Sequence, residues 1–234
     1  MTWMRASLVG LLTLVVGLPG VFAEDETAAG TGTLRALAAA DLSRLEGASG
    51  DRLRVLWPRL RATPSRVSGL RWTPGDAATQ DVGAAFLAAF PGLTGAPPAA
   101  LELIETEGTR NRTILRYQQR WQGIRVLGGQ VILSLDKSGR VLSMASSTTG
   151  LVGLDSSRDV GREVAVRAAL DRIHGEGRGA DLGARAARVV LAGPGGAVLA
   201  WRVVVPTVPM IQKIVCLVDA ASGEILTVTD EVIR

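Results

Sequence analysis

Residues 117–147 read YQQRWQGIRVLGGQVILSLDKSGRVLSMASS, and this stretch leaves its part of the chain little choice but an antiparallel meander. Tyr117, Gln119 and Trp121 alternate with polar neighbours until Gly123 breaks the pattern. Alternation returns from Val126 to Leu135. Successive strand side chains point to opposite sides, so Val131, Leu133 and Leu135 share one face. Asp136-Lys137-Ser138-Gly139 is a turn, in which the aspartate can hold the bend and glycine can take the positive φ of a tight hairpin. Arg140 to Met144 begins a third strand. The sequence predicts a structural Gln119, a bend at Gly123, and Val126 packed under a helix that carries Phe86. Nothing in the stretch looks like a catalytic device.

The flanking chain follows the same logic. Residues 52–57 alternate, with Leu53, Val55 and Trp57 on one side, and residues 66–70 form a second short strand. Prolines between them place this pair at a sheet edge, because proline cannot donate a ladder hydrogen bond. Thr73-Pro74-Gly75-Asp76 should open a helix with Val82, Ala85, Phe86, Ala89 and Phe90 on its apolar face, stopped by Pro91-Gly92. Strands are expected at 101–107 and 112–120. Residues 148–157, rich in Gly, Ser and Thr, form a joint, after which the order restarts. A helix over 159–173 should bury Val160, Val164, Ala168 and Ile173. A glycine-rich loop over 175–183 precedes strands at 187–191, 197–205, 211–218 and 225–229. One helix followed by an antiparallel meander occurs twice, which gives an α+β layer architecture.

The amino terminus reads differently. Arg5, an apolar run to Leu18, Pro19-Gly20 and then Val21-Phe22-Ala23 make a secretory signal peptide, with cleavage expected after Ala23. The run is shorter than the ~20 apolar residues a membrane span requires. A secreted or periplasmic location follows. Residues 24–50 are expected to be a flexible leader, with a short helix over 34–45.

Apolar residues make up 47% of the chain but aromatics only 4%, so Ala, Val and Leu must fill the core. Cys216 is the only cysteine, which excludes an internal disulfide, and its place in an apolar strand suits a buried thiol. The formal charge of +4 comes from dispersed arginines. No basic run with interleaved aromatics tracks a nucleic-acid backbone, whereas an acidic protein partner suits this charge.

Most catalytic arrangements fail on counting. His174 is the only histidine and falls at a helix end beside glycines, where a solvated capping role is expected. There is no HExxH and no GxSxG, and one histidine with one distant cysteine makes no ordinary zinc site. The glycines of 175–179 follow a helix, whereas a dinucleotide fingerprint follows a strand. Glu102, Glu105 and Glu107 offer carboxylates, but strand alternation puts Glu102 on the face opposite Glu105 and Glu107, a pattern of solvated side chains. No catalytic residue, cofactor or metal is expected.

The run from Tyr117 to Val131, with Gln119, Gly123, Ile124 and Val126, followed by Asp136-Lys137-Ser138-Gly139-Arg140-Val141, resembles the fungalysin/thermolysin propeptide (FTP) domain. Arg125 stands where that family commonly has proline. Leu199-Ala200-Trp201-Arg202-Val203 and Val218-Asp219-Ala220-Ala221-Ser222-Gly223-Glu224 are similar to the strands of a PepSY domain, through Trp201, Asp219 and Gly223. The resemblance implies two cystatin-like units, each one helix packed on a curled antiparallel sheet: FTP-like over 51–150 and PepSY-like over 151–234. It further implies a propeptide-type module that inhibits and helps to fold a secreted thermolysin-like zinc metallopeptidase, in cis or in trans. The chain ends at Arg234, where a protease domain would begin, so it is read as the front part of a precursor or as a separate propeptide-like protein. The alternative is a stand-alone periplasmic or extracellular protein-binding protein that kept the fold without a protease. A carboxylate-dependent hydrolase using Glu105 is the third reading. Val208, Met210 and Ile211, between Pro206 and a strand, are candidate partner contacts.

Overall fold

A computed structural model of the chain describes residues 24–49, 52–59, 61–74, 81–151, 154–175, 183–193, 196–206 and 212–232. The expected signal peptide lies outside the described residues. Among the described residues, three α-helices and ten strands make an α+β fold around a mixed sheet. In chain order they are α1 (Glu24–Ser49), β1 (Arg54–Leu56), β2 (Arg66–Trp72), α2 (Val82–Ala89), β3 (Leu101–Gly108), β4 (Arg112–Trp121), β5 (Ile124–Asp136), β6 (Val141–Ser146), α3 (Arg162–His174), β7 (Arg185–Gly193), β8 (Gly196–Pro206), β9 (Gln212–Asp219) and β10 (Ile225–Val232). Among the described helices, none is long and apolar enough to cross a membrane.

The helix expected over 34–45 is present but longer, spanning nearly the whole of the expected flexible leader. Ala38, Asp41, Leu42 and Leu45 recur at helical spacing and are buried against the first core. The Asp41 carboxylate accepts the Gly92 N–H at 2.7 Å and pairs with Arg44, which also donates to the Ala89 carbonyl at 2.7 Å. Gly92 must lack a side chain, because a Cβ there would lie 2.7 Å from the Leu37 carbonyl carbon. Helix α2 begins later than the Thr73–Asp76 start predicted above: Asp81 caps it, accepting the Ala84 N–H at 2.8 Å, and residues 75–80 lie outside the described ones.

The first core joins α1 and α2 to the inner face of the sheet. Phe86 is fully buried, edge-on to Trp72 with ring centroids 5.4 Å apart and tilted on Phe90 at 5.1 Å. Val67, Met144, Leu133 and Leu115 line up across β2, β6, β5 and β4 beneath it. A second core lies between α3 and strands β7 to β9. The helix buries Ala165, Val166, Ala169 and Leu170; of the predicted stripe, Ala168 and Ile173 pack partly buried against this core, while Val164 is 50% exposed. Gly161, at φ +86°, caps the helix, so residues 159 and 160 lie before it, and the fully buried stripe is offset from the predicted one.

Strand β5 organises the whole. One of its edges carries β4. The other is divided: Val131 to Leu135 pair antiparallel with β6, while Arg125 to Leu127 pair parallel with β7. That parallel pairing joins two antiparallel groups, β1-β2-β6-β5-β4-β3 and β7-β8-β9-β10, into one mixed sheet. Val126 therefore does not sit under Phe86. It packs with Val190, Leu199 and Ala220 in a third cluster, bordered by Trp121, Leu151 and Trp201.

Candidate functional site

The sheet fork in β5 concentrates the buried polar groups. Gln118 pairs with Gln130 and Arg120 with Arg125, so a single residue of β4, Gln119, spans residues 126–129 of β5. Here β5 arches away from β4 toward β7, with Gly128 at φ +73°. Such an arch strips carbonyls of ladder partners, and buried carbonyls require donors. Gln118, 2% exposed, supplies them: its Nε2 lies 2.7 Å from the Val126 carbonyl, 2.8 Å from that of Gly129 and 3.1 Å from that of Gln119. Arg125 Nε donates to Gln118 Oε1 at 3.0 Å and fixes the orientation of the amide. Gln119, 1% exposed, points to the other side and clasps the joint. Its Nε2 donates to the Thr149 carbonyl at 2.8 Å and its Oε1 accepts the Thr149 N–H at 3.2 Å. A Cβ at Gly129 would come within 2.8 Å of Gln119 Oε1, so that glycine makes room for the clasp.

The sequence-predicted residues fall into place around this fork. Gly123 closes the β4–β5 hairpin with Gln122: both have positive φ, +80° and +47°, the pattern of a type I′ turn. Ile124 borders the third cluster and Val126 is inside it. Trp201 links the second and third clusters, and its Nε1 donates to Asp159 Oδ1 at 2.8 Å. The Asp219 carboxylate accepts the backbone N–H groups of Ala221 and Ser222, each at 2.8 Å, and Gly223 at φ +79° completes that turn. These seven positions do not form one constellation. Val208, Met210 and Ile211 lie outside the described residues. Gln118 went unnoticed in the sequence because alternation made it a solvent-facing neighbour.

Groups with catalytic potential are occupied structurally or stand alone. Glu102, Glu105 and Glu107 do share a face, contrary to simple alternation. A bulge at Ile104 sets them opposite Gln118, Arg116 and Ile114. Glu102 pairs with Arg120, and Glu105 with Arg116 at 2.8 Å, on an exposed surface. His174 ends α3, but it is not the solvated cap expected: its Nε2 is buried without a hydrogen-bond partner among the described residues. Cys216 is fully buried, and burial pushes its thiol pKa up. No group of three or more metal-ligating side chains occurs among the described residues.

Comparison with known proteins bears on the forked meander. No curated protein matches the chain. Among solved structures, the Bacillus megaterium YpeB C-terminal domain aligns at 12% identity with a TM-score of 0.33, covering 92% of this chain and 100% of that one. A predicted lipoprotein from Clostridium difficile 630 aligns at 13% identity with a TM-score of 0.26, covering 57% of this chain and 84% of that one. Residues 112–148, from the start of β4 to the joint that Gln119 clasps, match the family described as the Fungalysin/Thermolysin Propeptide Motif.

Proposed function

We propose that this chain is a non-enzymatic propeptide-type module that binds a secreted thermolysin-like zinc metallopeptidase, in cis or in trans, blocking its cleft and assisting its folding. The observation that carries this reading is the propeptide-motif match over β4, β5 and β6. The chemistry of the matched segment agrees with it. Its buried polar side chains Gln118 and Gln119 are spent on backbone groups of the fold, and its one acid, Asp136, on an ion pair with Arg140. What remains for function is a surface held in shape. The module is secreted after cleavage at Ala23, with residues 51–150 FTP-like and residues 151–234 PepSY-like.

The test mixes the chain lacking its first 23 residues with a thermolysin-like protease from the same source. One assay measures peptide hydrolysis; another measures the yield of active protease after dilution from denaturant. Inhibition or a raised refolding yield is expected. A folded chain that produces neither overturns the proposal and leaves the stand-alone binding protein.

A further inference from the structure

The outer face of the first sheet carries an arginine-lined cleft that the fork does not use. Ser68, Ser143 and Ser134 stand in one row across β2, β6 and β5, behind the apolar inner face. Next to this row the pairing of β2 with β6 slips, so that Gly69, Leu70 and Arg71 stand against Leu142 alone. Gly69 takes φ +81°, and any Cβ there would lie 2.0 Å from the Arg52 carbonyl oxygen. This bulge opens a cleft of about 400 Å³ lined by Arg52, Arg71 and Arg112 together with Ser68 and Ser143. No carboxylate lines it among the described residues, and Asp136, the cross-strand neighbour of Arg112, is taken up by Arg140. Elsewhere Arg116, Arg120, Arg140 and Arg202 are each matched to an acid, yet the three cleft arginines make no ion pair among the described residues. Ser134, 7% exposed and next in the serine row, has an Oγ without a hydrogen-bond partner.

We infer that the cleft formed by Arg52, Arg71 and Arg112 at the β2 bulge is a docking site for an acidic peptide segment of a protein partner. Three like charges in one cleft repel one another until an anion neutralises them. Guanidinium groups match carboxylates by paired, charge-assisted hydrogen bonds. The neighbouring strand favours a peptide over a free small anion. β1 begins two residues after Arg52, has no strand on its outer side among the described residues, and exposes Val55 (38%) and Leu56 (62%). An extended segment could pair with that edge and cover those side chains while its carboxylates enter the cleft. A phosphate ion would use neither. The inference does not depend on the protease reading, since any partner with such a segment would serve.

The test uses the chain lacking its first 23 residues and a short fluorescent peptide of alternating glutamate and valine, followed by anisotropy. The same peptide with glutamine for glutamate is the control. The glutamate peptide should bind and the glutamine peptide should not, and added salt should weaken binding. Arg71→Gln and Arg112→Gln should each weaken it about tenfold, the scale of one charge-assisted hydrogen bond. Arg116→Gln, which removes an arginine already paired, should leave it unchanged. Thermal melts confirm that each variant is folded. Equal binding of the two peptides, or full affinity in folded Arg71→Gln and Arg112→Gln, overturns the inference. So does binding of pyrophosphate to the cleft without binding of the glutamate peptide, which would mark a small-anion site.

Discussion

Replacing Gln118 by leucine tests whether the forked sheet depends on a side-chain amide. The volume is nearly kept, so the change is chemical. Two N–H groups of the amide serve three carbonyls, those of Val126, Gly129 and Gln119, at 2.7, 2.8 and 3.1 Å. Leaving a buried acceptor unsatisfied costs about 1–3 kcal/mol, and all three lose their donor, the longest contact contributing least. Leucine recovers part of this by burying apolar surface, at roughly 0.8 kcal/mol per methylene. A net loss of about 2–4 kcal/mol is expected, or about 5–15 °C in Tm for a chain of this size. Urea unfolding followed by tryptophan emission is a suitable assay, because Trp121 and Trp201 both border the cluster around Val126. Gln118→Glu sharpens the test. At neutral pH it sets a carboxylate against three carbonyls and should be worse than leucine. Protonation restores a donor, so this variant should regain stability as pH falls toward the carboxyl range. A Gln118→Leu protein within about 0.5 kcal/mol of the parent, the scatter of ordinary surface changes, would refute the reasoning.

Three further outcomes follow from the packing and titration of the first unit. Phe86→Ala should cost about 3–5 kcal/mol in urea unfolding, since the ring is fully buried between Trp72 and Phe90. Burial, then the Asp81 carboxylate that its hydroxyl reaches at 3.2 Å, pushes the Tyr117 pKa up. A raised folded pKa means that stability is lost as pH rises past the unfolded tyrosine value of about 10, so Tyr117→Phe should flatten that alkaline decline in melting scans. At Asp136 the Ser138 hydroxyl, aided by hydrogen bonds from Arg140 and the Ser138 N–H, holds the carboxyl well below its usual range. That contribution is present above the unfolded value of about 4 and is lost as pH falls below it, so Asp136→Asn should reduce the acid sensitivity of unfolding.

Periodicity disclosed the strands because it is local. The β1–β2 pair, the β4–β5–β6 meander and the four strands after α3 follow from alternation and turn residues within a few positions. What it could not disclose is long-range or depends on one irregular residue. The parallel pairing of Arg125 to Leu127 with Val189 to Leu191 joins segments more than sixty residues apart, and neither carries a mark of the other. Without it, Val126 looks like any core valine of the first unit. A bulge at Ile104 reversed the face assigned to Glu102, because one extra residue shifts alternation by one step. For α3 the helix was legible but its phase was not: Val164 and Ala168 recur at helical spacing, yet the neighbouring Ala165 and Ala169 carry the buried stripe. Gln118 was invisible for another reason. A buried polar side chain is explained by the backbone groups it serves, and those appear only once β5 is seen to arch.

The proposed function and the proposed docking cleft give the motif residues and the surface arginines separable roles. Gln119, Gly123 and Val126 lie inside the region matched by the propeptide motif, and each is absorbed by the fold: a clasp on Thr149, a hairpin turn, a place in the cluster at the fork. Changing them should move stability first and binding only through it. The cleft arginines are exposed and unpaired among the described residues, and their side chains are not part of the first core, so changing them should move binding and leave the unfolding midpoint alone. A module whose task is to present a surface predicts that division. An enzyme predicts the opposite, because its matched residues would have to touch the reacting atoms, and these have already committed their polar groups to the backbone.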